Sequence, residues 1–234
     1  MPLPFNLISS KPFEDYTAEE FQAGQVLFVD KPLAWTSFQV VNKLKHFIRR
    51  KHKLRKIKIG HAGTLDPLAT GLLIICTGKM TKSIETFQGL EKAYSGTFLL
   101  GATTPSYDLE TEIDEKYSLA DLTQDKIDQA VEKLTGEIEQ FPPIYSAVKI
   151  DGRRAYKLAR NGQEVEVRPR IVEIRTFEID TKDFPKIHFK IICSKGTYIR
   201  SIAHDLGKLL HNGAHLIALR RERIGEFLVP DSGA

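Results

Sequence analysis

Cysteine is scarce in this chain of 234 residues, which holds only Cys76 and Cys193. Two cysteines cannot supply the framework of bridges that stabilises small secreted domains, and a structural zinc site usually takes four ligands. Each cysteine closes an apolar strand pattern, where a buried reduced thiol is the ordinary explanation. The sequence therefore argues against a disulfide scaffold and against a cysteine metal centre.

Long apolar runs are lacking as well. No run approaches the roughly 20 residues that a membrane-spanning helix needs. The N-terminal segment MPLPFNLISS has no basic-then-apolar order of the kind that marks a signal peptide. The length is ordinary for one large domain with a substantial core. We therefore expect a cytoplasmic protein with a single domain over residues 1–234.

The common cofactor motifs are also missing. The chain has no Walker A string, no GxGxxG segment and no Cys/His cluster with metal-ligand spacing. These absences favour a protein that works without a nucleotide, flavin or metal cofactor.

Acidic residues are missing from one stretch and concentrated in another. Between Lys43 and Lys58 there are nine Lys or Arg and no acid, whereas Ser106 to Glu139 holds eleven Asp or Glu against three Lys. An isolated basic run is as often a solvated helix end as a binding surface. Because this run directly precedes the segment that holds Asp66, we interpret it as a surface for phosphate contacts beside an active site.

Asp66 lies in the segment GHAGTLDPLATGLLIICTG from Gly60 to Gly78. The glycines at 60, 63 and 71 permit positive φ and a close approach by another molecule. The apolar run from Leu72 to Cys76 is typical of a strand buried on both faces. Asp66-Pro67 could instead begin a helix, since Asp favours the N-cap and Pro the first helical position.

The remaining periodicities predict an α/β (α+β) fold with a mixed, largely antiparallel sheet. A helix should open at Thr36, because Gln39 completes a capping box, and another at Asp121 or Thr123, ending near Gly136. The predicted strands are Gln25–Val29, Leu72–Cys76, Tyr94–Leu100, Val172–Thr176 and Ile187–Ile191, and a last helix has its apolar face from Ile199 to Leu210.

The Gly60–Gly78 string resembles the signature of the TruB-type tRNA pseudouridine synthases, in which G-H-x-G-x-L-D-P-x-A-x-G-x-L carries the catalytic aspartate. Further segments match in order: VDKPLAWTS (29–37), KAYSGTFLLG (92–101), FPPIYSAVKIDGRRAYKLAR (141–160), CSKGTYIRSIAHDLG (193–207) and GAHLIALRR (213–221). Ala62 stands where family members often carry Thr. Many members continue into a C-terminal RNA-binding domain, whereas this chain stops at Ala234.

The resemblance implies a pseudouridine synthase fold with a catalytic cleft, and isomerisation of uridine at position 55 in the T loop of tRNA. In that reaction the base leaves C1′ of its ribose, turns, and rejoins through carbon. Asp66 matches the nucleophile, Arg200 the arginine that pairs with it, and Tyr94 the active-site tyrosine that packs against the base. The residues leave open whether Asp66 attacks the base or the sugar, and whether Tyr94 accepts a proton.

Reaching a stacked uridine requires flipping it out of the loop. The resemblance gives His61 as the residue that enters the loop, Tyr198 as the aromatic at the pocket and Leu219 as its apolar wall. Lys82, Lys149 and Lys195 are candidate phosphate ligands, and residues around 141–165 match an RNA-clamping insertion.

Two other functions fit parts of the sequence. The chain could be a tRNA-binding or tRNA-folding module whose catalysis is dispensable, which would bind tRNA without needing Asp66. A hydrolase with an aspartyl nucleophile would need a second carboxylate in an acid motif, and none is evident. We expect tRNA as the partner, no protein partner, and a monomer.

Overall fold

The computed structural model describes residues 3–145 and 167–229, together with the backbone of 149–150 and 153–154. It divides into two compact units. The first comprises Met1–Ala93 and Arg220–Ala234, and the second comprises Tyr94–Leu219.

Strands and helices alternate along much of the chain. The strands are β1 (Leu7–Ile8), β2 (Val26–Lys31), β3 (Ile59–His61), β4 (Ala69–Thr77), β5 (Lys92–Leu100), β6 (Ala102–Thr103), β7 (Glu115–Lys116), β8 (Gly136–Gln140), β9 (Lys149–Ile150), β10 (Arg153–Arg154), β11 (Arg170–Asp180), β12 (Lys186–Cys193), β13 (Ala214–Ile224) and β14 (Phe227–Leu228). The helices are α1 (Ala18–Ala23), α2 (Ser37–Lys51), α3 (Ile84–Gly89), α4 (Gln124–Lys133) and α5 (Ile199–Leu209). Short 3₁₀ helices cover Phe13–Asp15 and Gly78–Ser83.

In the first unit, β4 is the central strand. It pairs antiparallel with β2 and with β3, in registers that place Val29 opposite Leu73 and His61 opposite Ile75. Both faces of β4 are buried, which explains why its sequence is a continuous apolar run. One face packs against the apolar stripe of α2, in a cluster that includes Leu27, Val29, Val40, Val41, Leu44, Ile48, Leu73 and Ile75.

The start of α2 confirms the predicted capping box. The Thr36 side chain accepts a hydrogen bond from the Gln39 backbone, and the Gln39 side chain accepts one from the Thr36 backbone. These bonds satisfy two amide groups that a helix end leaves without intrahelical partners. They fix where α2 begins, directly after β2.

In the second unit, the sheet has the strand order β13-β5-β12-β11-β8. β11 pairs antiparallel with β12 and with β8, placing Phe177 opposite Ile191 and Val172 opposite Ile138. Helices α4 and α5 bury their apolar faces in this unit's core, to which Phe98, Ile127, Val131, Val172, Ile187, Phe189, Ile202 and Leu206 contribute.

The predicted fold class is confirmed: the protein is a mixed α/β fold. Every strand pair whose register is described is antiparallel, as predicted for most of the sheet. Each predicted strand and helix lies within or beside an observed one. The prediction missed α1, α3, β8 and β13, together with the short strands β1, β3, β6, β7, β9, β10 and β14.

The longest missed element, β13, carries Arg220, Arg221 and Arg223 in its second half. Charged residues at neighbouring positions do not predict a buried strand. Arg221 is nevertheless only 1% exposed, because backbone carbonyls accept its hydrogen bonds. Within the described residues, no helix is long and apolar enough to cross a membrane.

Candidate active site

Asp66 lies in the loop that joins β3 to β4 in the first unit, and it is partly buried. Its carbonyl oxygen accepts a hydrogen bond from the Ala69 amide at 3.1 Å, which closes a turn that leads into β4. Asp66-Pro67 therefore forms a turn before a strand, and the alternative that it begins a helix is excluded. The carboxylate is carried by a segment tied to the most buried strand of the unit.

The N-terminus of α2 holds this loop. The Ser37 hydroxyl accepts a hydrogen bond from the Leu65 amide at 2.9 Å and donates one to the Leu65 carbonyl at 3.1 Å. Ser37 is buried, so both bonds are shielded from competing water. The residue just before Asp66 is thus fixed at both of its backbone polar groups.

Two glycines let β13 approach this loop closely. Gly63 and Gly71 both have φ of +101°. A Cβ at Gly71 would lie 2.3 Å from the Arg221 carbonyl oxygen, and the same carbon at Gly63 would lie 3.5 Å from the Arg221 side chain. The sequence permits a positive φ at Gly60 as well, but Gly60 does not adopt one.

Lys31, at the end of β2, is a functional candidate that the sequence analysis did not single out. It is fully buried, and its ammonium group donates to the carbonyl oxygens of Pro32, Trp35 and Pro67. Burial lowers the pKa of Lys31 to about 8, while the negative charge of Asp66 opposes that shift. A buried cation thus lies within electrostatic reach of the Asp66 carboxylate.

His61 ends β3 in the same part of the first unit. Burial lowers the pKa of His61 below its usual value, the positive charge of Arg221 lowers it further, and a hydrogen bond with Gly63 opposes both. The ring is therefore neutral at pH 7, and it can donate or accept a hydrogen bond without adding charge. Arg221 organises this region by donating to the Leu72 carbonyl at 2.8 Å and the Gly63 carbonyl at 3.1 Å.

In the second unit, Arg200 lies in the first turn of α5 and is 3% exposed. A cation at a helix N-terminus opposes the helix dipole, so it needs compensating contacts. Its Nη1 lies 3.5 Å from Oδ2 of Asp108 and donates to the carbonyl oxygens of Ser106 and Tyr145. Asp108 is also buried, and the pair is a buried ion pair that the sequence analysis missed.

The segment around Asp108 is shaped by its own side chains. The Thr104 and Ser106 hydroxyls both donate to the Asp108 carbonyl oxygen, at 2.7 and 3.3 Å. Asp108 Oδ1 accepts a hydrogen bond from the Glu110 amide at 2.9 Å, which leaves Oδ2 for Arg200. Tyr107 has φ of +63°, an uncommon value for a residue with a side chain. The loop is thus held in a defined shape that presents the carboxylate.

Tyr198 precedes α5 as its N-cap residue. The buried Gln140 side chain accepts a hydrogen bond from the Tyr198 amide at 2.8 Å and donates one to its carbonyl at 3.1 Å. The Arg170 guanidinium lies 5.1 Å from the centroid of the Tyr198 ring, within the range of a cation–π contact. The backbone of Tyr198 is therefore fixed, and its ring has a cationic neighbour.

The other predicted residues of the second unit have simpler surroundings. Tyr94 on β5 and Leu219 on β13 are partly buried and pack against this unit's core. Lys195 is exposed in the turn before α5, where Gly196 has φ of +83°. Lys149 lies on β9, and its side chain is outside the described residues, as is most of the insertion around 141–165.

Lys82 lies apart from Asp66. It follows β4 in the 3₁₀ helix Gly78–Ser83, whereas Asp66 precedes β4. The eight residue steps of that strand, at about 3.3 Å each, separate its two ends by roughly 25 Å. In the first unit the structure therefore places Lys31 within electrostatic reach of Asp66 and Arg221, and Arg221 within reach of His61. It leaves Lys82 at the far end of β4.

Comparison with known proteins shows the family. Residues 49–199 match the family model described as "TruB family pseudouridylate synthase (N terminal domain)". This chain is a TruB-family pseudouridylate synthase. The match contains Asp66, Asp108 and the whole of the insertion around 141–165, whereas Lys31 and Arg221 lie outside it.

Two curated TruB relatives match over most of their length. Both are named tRNA pseudouridine synthase B. The one from Flavobacterium johnsoniae is 54% identical over 92% of this chain and 95% of its own. The one from Phocaeicola vulgatus is 52% identical over 90% of both chains.

The fold also matches a solved structure titled "Crystal Structure of a Cbf5-Nop10-Gar1 Complex", with a TM-score of 0.64 and 28% identity. The alignment covers 97% of this chain but only 60% of the other. The TruB-family chain thus corresponds to part of that longer protein.

The described residues contain no group of three or more His, Cys, Asp or Glu placed to hold a metal ion.

Proposed function

We propose that this protein isomerises uridine to pseudouridine in tRNA, at position 55 of the T loop, without a cofactor. The observation that carries the proposal is Asp66, which falls on the family's catalytic aspartate and sits in a loop fixed by Ser37 and by β4. The names of the curated relatives, tRNA pseudouridine synthase B, support the substrate.

In the reaction, the bond between ribose C1′ and the ring nitrogen breaks, and C1′ forms a new bond to carbon C5 of the turned base. The proton on C5 is released to solvent and the freed ring nitrogen takes up a proton, so the product is an isomer of the substrate and no redox partner is needed. Asp66 acts as a covalent nucleophile, which divides one difficult step into easier ones. The hydrogen bonds of Leu65 limit the geometries that the Asp66 carboxylate samples. Such positioning can supply much of the reduction in the activation free energy.

A buried positive charge lies near the nucleophile. Lys31 places a buried positive charge within reach of Asp66, and an opposite charge favours the carboxylate form. By the family resemblance, Arg200 pairs with Asp66 and aims it. The buried carboxylate of Asp108 orients the Arg200 guanidinium.

Recognition of the flipped uridine follows from the resemblance and from the local chemistry. Tyr94 packs against the base, Tyr198 and Leu219 line its pocket, and neutral His61 enters the RNA loop. Lys82, Lys149 and Lys195 contact phosphates, and the insertion around 141–165 clamps the RNA. We infer that residues 1–234 act as one catalytic domain with a cleft, as a monomer in the cytoplasm.

The test is release of tritium from tRNA labelled at C5 of uridine, under single-turnover conditions. Asp66→Asn should lower the rate at least about a thousandfold, because the amide is a poor nucleophile, while tRNA affinity changes little. Asp15→Asn, at an exposed position of the same unit, is the matched control and should keep the full rate.

Mapping the product to the T loop would support position 55. Release that persists in Asp66→Asn would contradict the role of this residue. Tight tRNA binding by the wild-type chain with no release at all would favour a tRNA-folding module instead.

A further inference from the structure

A strongly basic groove lies in the first unit, away from Asp66. Its cavity of about 820 Å³ is lined by Gln22, Lys45, Arg49, Arg55, Lys56, Ile57, Lys58, Gly78, Lys79, Thr81 and Lys82. Seven of these residues are Lys or Arg and none is acidic. We call this feature the basic groove.

Three separate segments form the basic groove. The second half of α2 supplies two cations, the loop between α2 and β3 supplies three, and the 3₁₀ helix after β4 supplies Lys79 and Lys82. The sequence shows only the first two segments as one basic run. Antiparallel pairing of β3 with β4 brings the third beside them, because Ile59 lies opposite Thr77.

The charges of the basic groove are not neutralised by carboxylates. Within residues 3–145 and 167–229, none of its cations forms an ion pair with Asp or Glu. Six of the seven side chains are exposed, and Lys45 is partly buried. Seven like charges around one cavity repel each other unless an anion joins them. Such a concave, single-sign surface attracts a polyanion.

The lining also indicates which part of a nucleic acid would bind. Single-strand binding sites combine cations with aromatic side chains on which bases stack. The basic groove has no aromatic residue, and Ile57 is its one large apolar member. It therefore suits the phosphates of a paired stem, whose bases are already stacked, better than an unpaired loop.

Two lengths place the basic groove far from the reacting nucleotide. Ser37 contacts Leu65 at one end of α2, and the helix then rises about 1.5 Å per residue for fourteen steps, or roughly 21 Å, to Lys51. β4 gives roughly 25 Å between its two ends. The basic run was expected to make its contacts beside the active site, but the cavity that its residues line lies at the other end of these two elements.

We propose that the basic groove binds the sugar-phosphate backbone of a base-paired stem of the substrate RNA, remote from the target uridine. The inference rests on the proposed function for the identity of the RNA. The basic groove provides a second contact, independent of nucleotide sequence, that fixes the position of the stem while the Asp66 region binds the loop. Affinity then depends on stem length and salt, and the chemical step depends on Asp66.

The test compares two triple variants of the full chain. Arg49→Gln/Arg55→Gln/Lys79→Gln removes three groove cations. Lys116→Gln/Lys133→Gln/Lys190→Gln removes three exposed cations that neither line the groove nor belong to the run from Lys43 to Lys58, so the net charge is matched. Affinity is measured by fluorescence anisotropy at several salt concentrations, with a T-arm hairpin that keeps its stem and with a loop-only oligonucleotide. Urea unfolding checks that both variants are folded.

The groove variant should bind the hairpin about 10- to 100-fold more weakly near 0.1 M salt, and the slope of log affinity against log salt should fall by about 2 to 3. The loop-only oligonucleotide should bind both variants alike. Inorganic tripolyphosphate should compete with the hairpin for the wild-type chain more strongly than for the groove variant, which separates phosphate chemistry from stem shape.

An unchanged salt slope, equal losses in the two triple variants, or an equal loss for the loop-only oligonucleotide would overturn the proposal. These binding measurements do not require turnover. A wild-type chain that binds the hairpin but releases no tritium would therefore contradict the proposed function alone, and the test of the basic groove would stand.

Discussion

At the scale of single residues, the buried pair of Arg200 and Asp108 shows how the chain handles a buried charge. Both side chains are almost fully buried, and Nη1 lies 3.5 Å from Oδ2. Burying ions is costly, and the cost is met only when each ion has partners. Asp108 provides one, and the carbonyls of Ser106 and Tyr145 provide others. We therefore regard Asp108 as a positioning residue for Arg200.

Asp108→Asn should lower the free energy of unfolding by about 3 kcal/mol, because the guanidinium loses its buried counter-ion. Tritium release should fall about a hundredfold through misplacement of Arg200, while tRNA affinity changes less than about threefold. Urea unfolding and single-turnover assays measure the two effects. Asp121→Asn, at an exposed position of the same unit, should change neither. A variant that loses stability but keeps the full rate would show that the role is only structural.

At the scale of elements, β4 depends on the absence of a side chain at Gly71. A methyl group there would lie 2.3 Å from the Arg221 carbonyl oxygen and 2.7 Å from its nitrogen, and φ is +101°. Both atoms belong to the backbone of β13, which cannot move aside as a flexible side chain could. The packing of these strands thus requires glycine.

Gly71→Ala should destabilise the protein by roughly 3 kcal/mol or more, since it combines a clash with an unfavourable conformation. Two controls separate these causes. Gly136→Ala has φ of +94° but no atom within 4 Å, so it should cost only about 1 kcal/mol. Gly89→Ala, in open space on α3, should be neutral or slightly stabilising. Thermal and urea unfolding rank the three variants by stability. Equal losses of stability in Gly71→Ala and Gly136→Ala would rule out the clash.

Helix α5 carries neighbouring groups whose titrations oppose each other. Burial raises the pKa of Asp205 to about 6, with Lys208 opposing. Burial lowers the pKa of His204 to about 4, and its ring stacks on Tyr107 at 3.9 Å between centroids. The contribution of Asp205 to the stability of the fold therefore falls as pH rises from about 4 to 6. The contribution of His204 to stability falls as pH drops from 6.5 to about 4, so the two pH dependences partly cancel.

Asp205→Asn should remove the fall in stability between pH 4 and 6 that ionisation of this carboxyl causes. At pH 7.5 the variant should be more stable than wild type by about 1 to 2 kcal/mol, because the buried carboxylate no longer has to ionise. Near pH 4 most of the gain should vanish, since Asp205 is then protonated in the folded state and only partly ionised in the unfolded state. The variant should consequently show a steeper loss of stability between pH 6.5 and 4, caused by His204. Urea unfolding at pH 7.5, 6 and 4 measures this, and a gain independent of pH would contradict it.

At the scale of the whole molecule, the described residues offer carboxylates, guanidinium groups, lysines and aromatic rings, and no cluster for a metal. The proposed isomerisation needs no electron acceptor or Lewis acid. The enzyme should therefore retain its tritium-release rate after dialysis against a chelator that removes Zn²⁺ and Fe²⁺. The assay keeps Mg²⁺ constant, because the tRNA needs it to fold. A loss restored by one added transition metal would contradict the cofactor-free proposal.

Much of the fold followed from local pattern. The capping box at Thr36, the doubly buried strand and the alternating strands β11 and β12 are local consequences of residue order, and the structure confirms them. β13 was missed because its second half carries arginines. Arg221 is buried by partners on segments distant in sequence, the carbonyls of Gly63 and Leu72.

The sequence by itself determined the family, the helices and strands with a clear period, and Asp66 as the candidate nucleophile, because each depends on residues close together in the chain. Only the tertiary structure decided that Lys31 is buried near Asp66, that Asp108 holds Arg200, and that Lys79 and Lys82 complete the basic groove. These features depend on strand pairing and on burial, which bring distant residues together and set the cost of each charge. No local pattern of residue types contains that information.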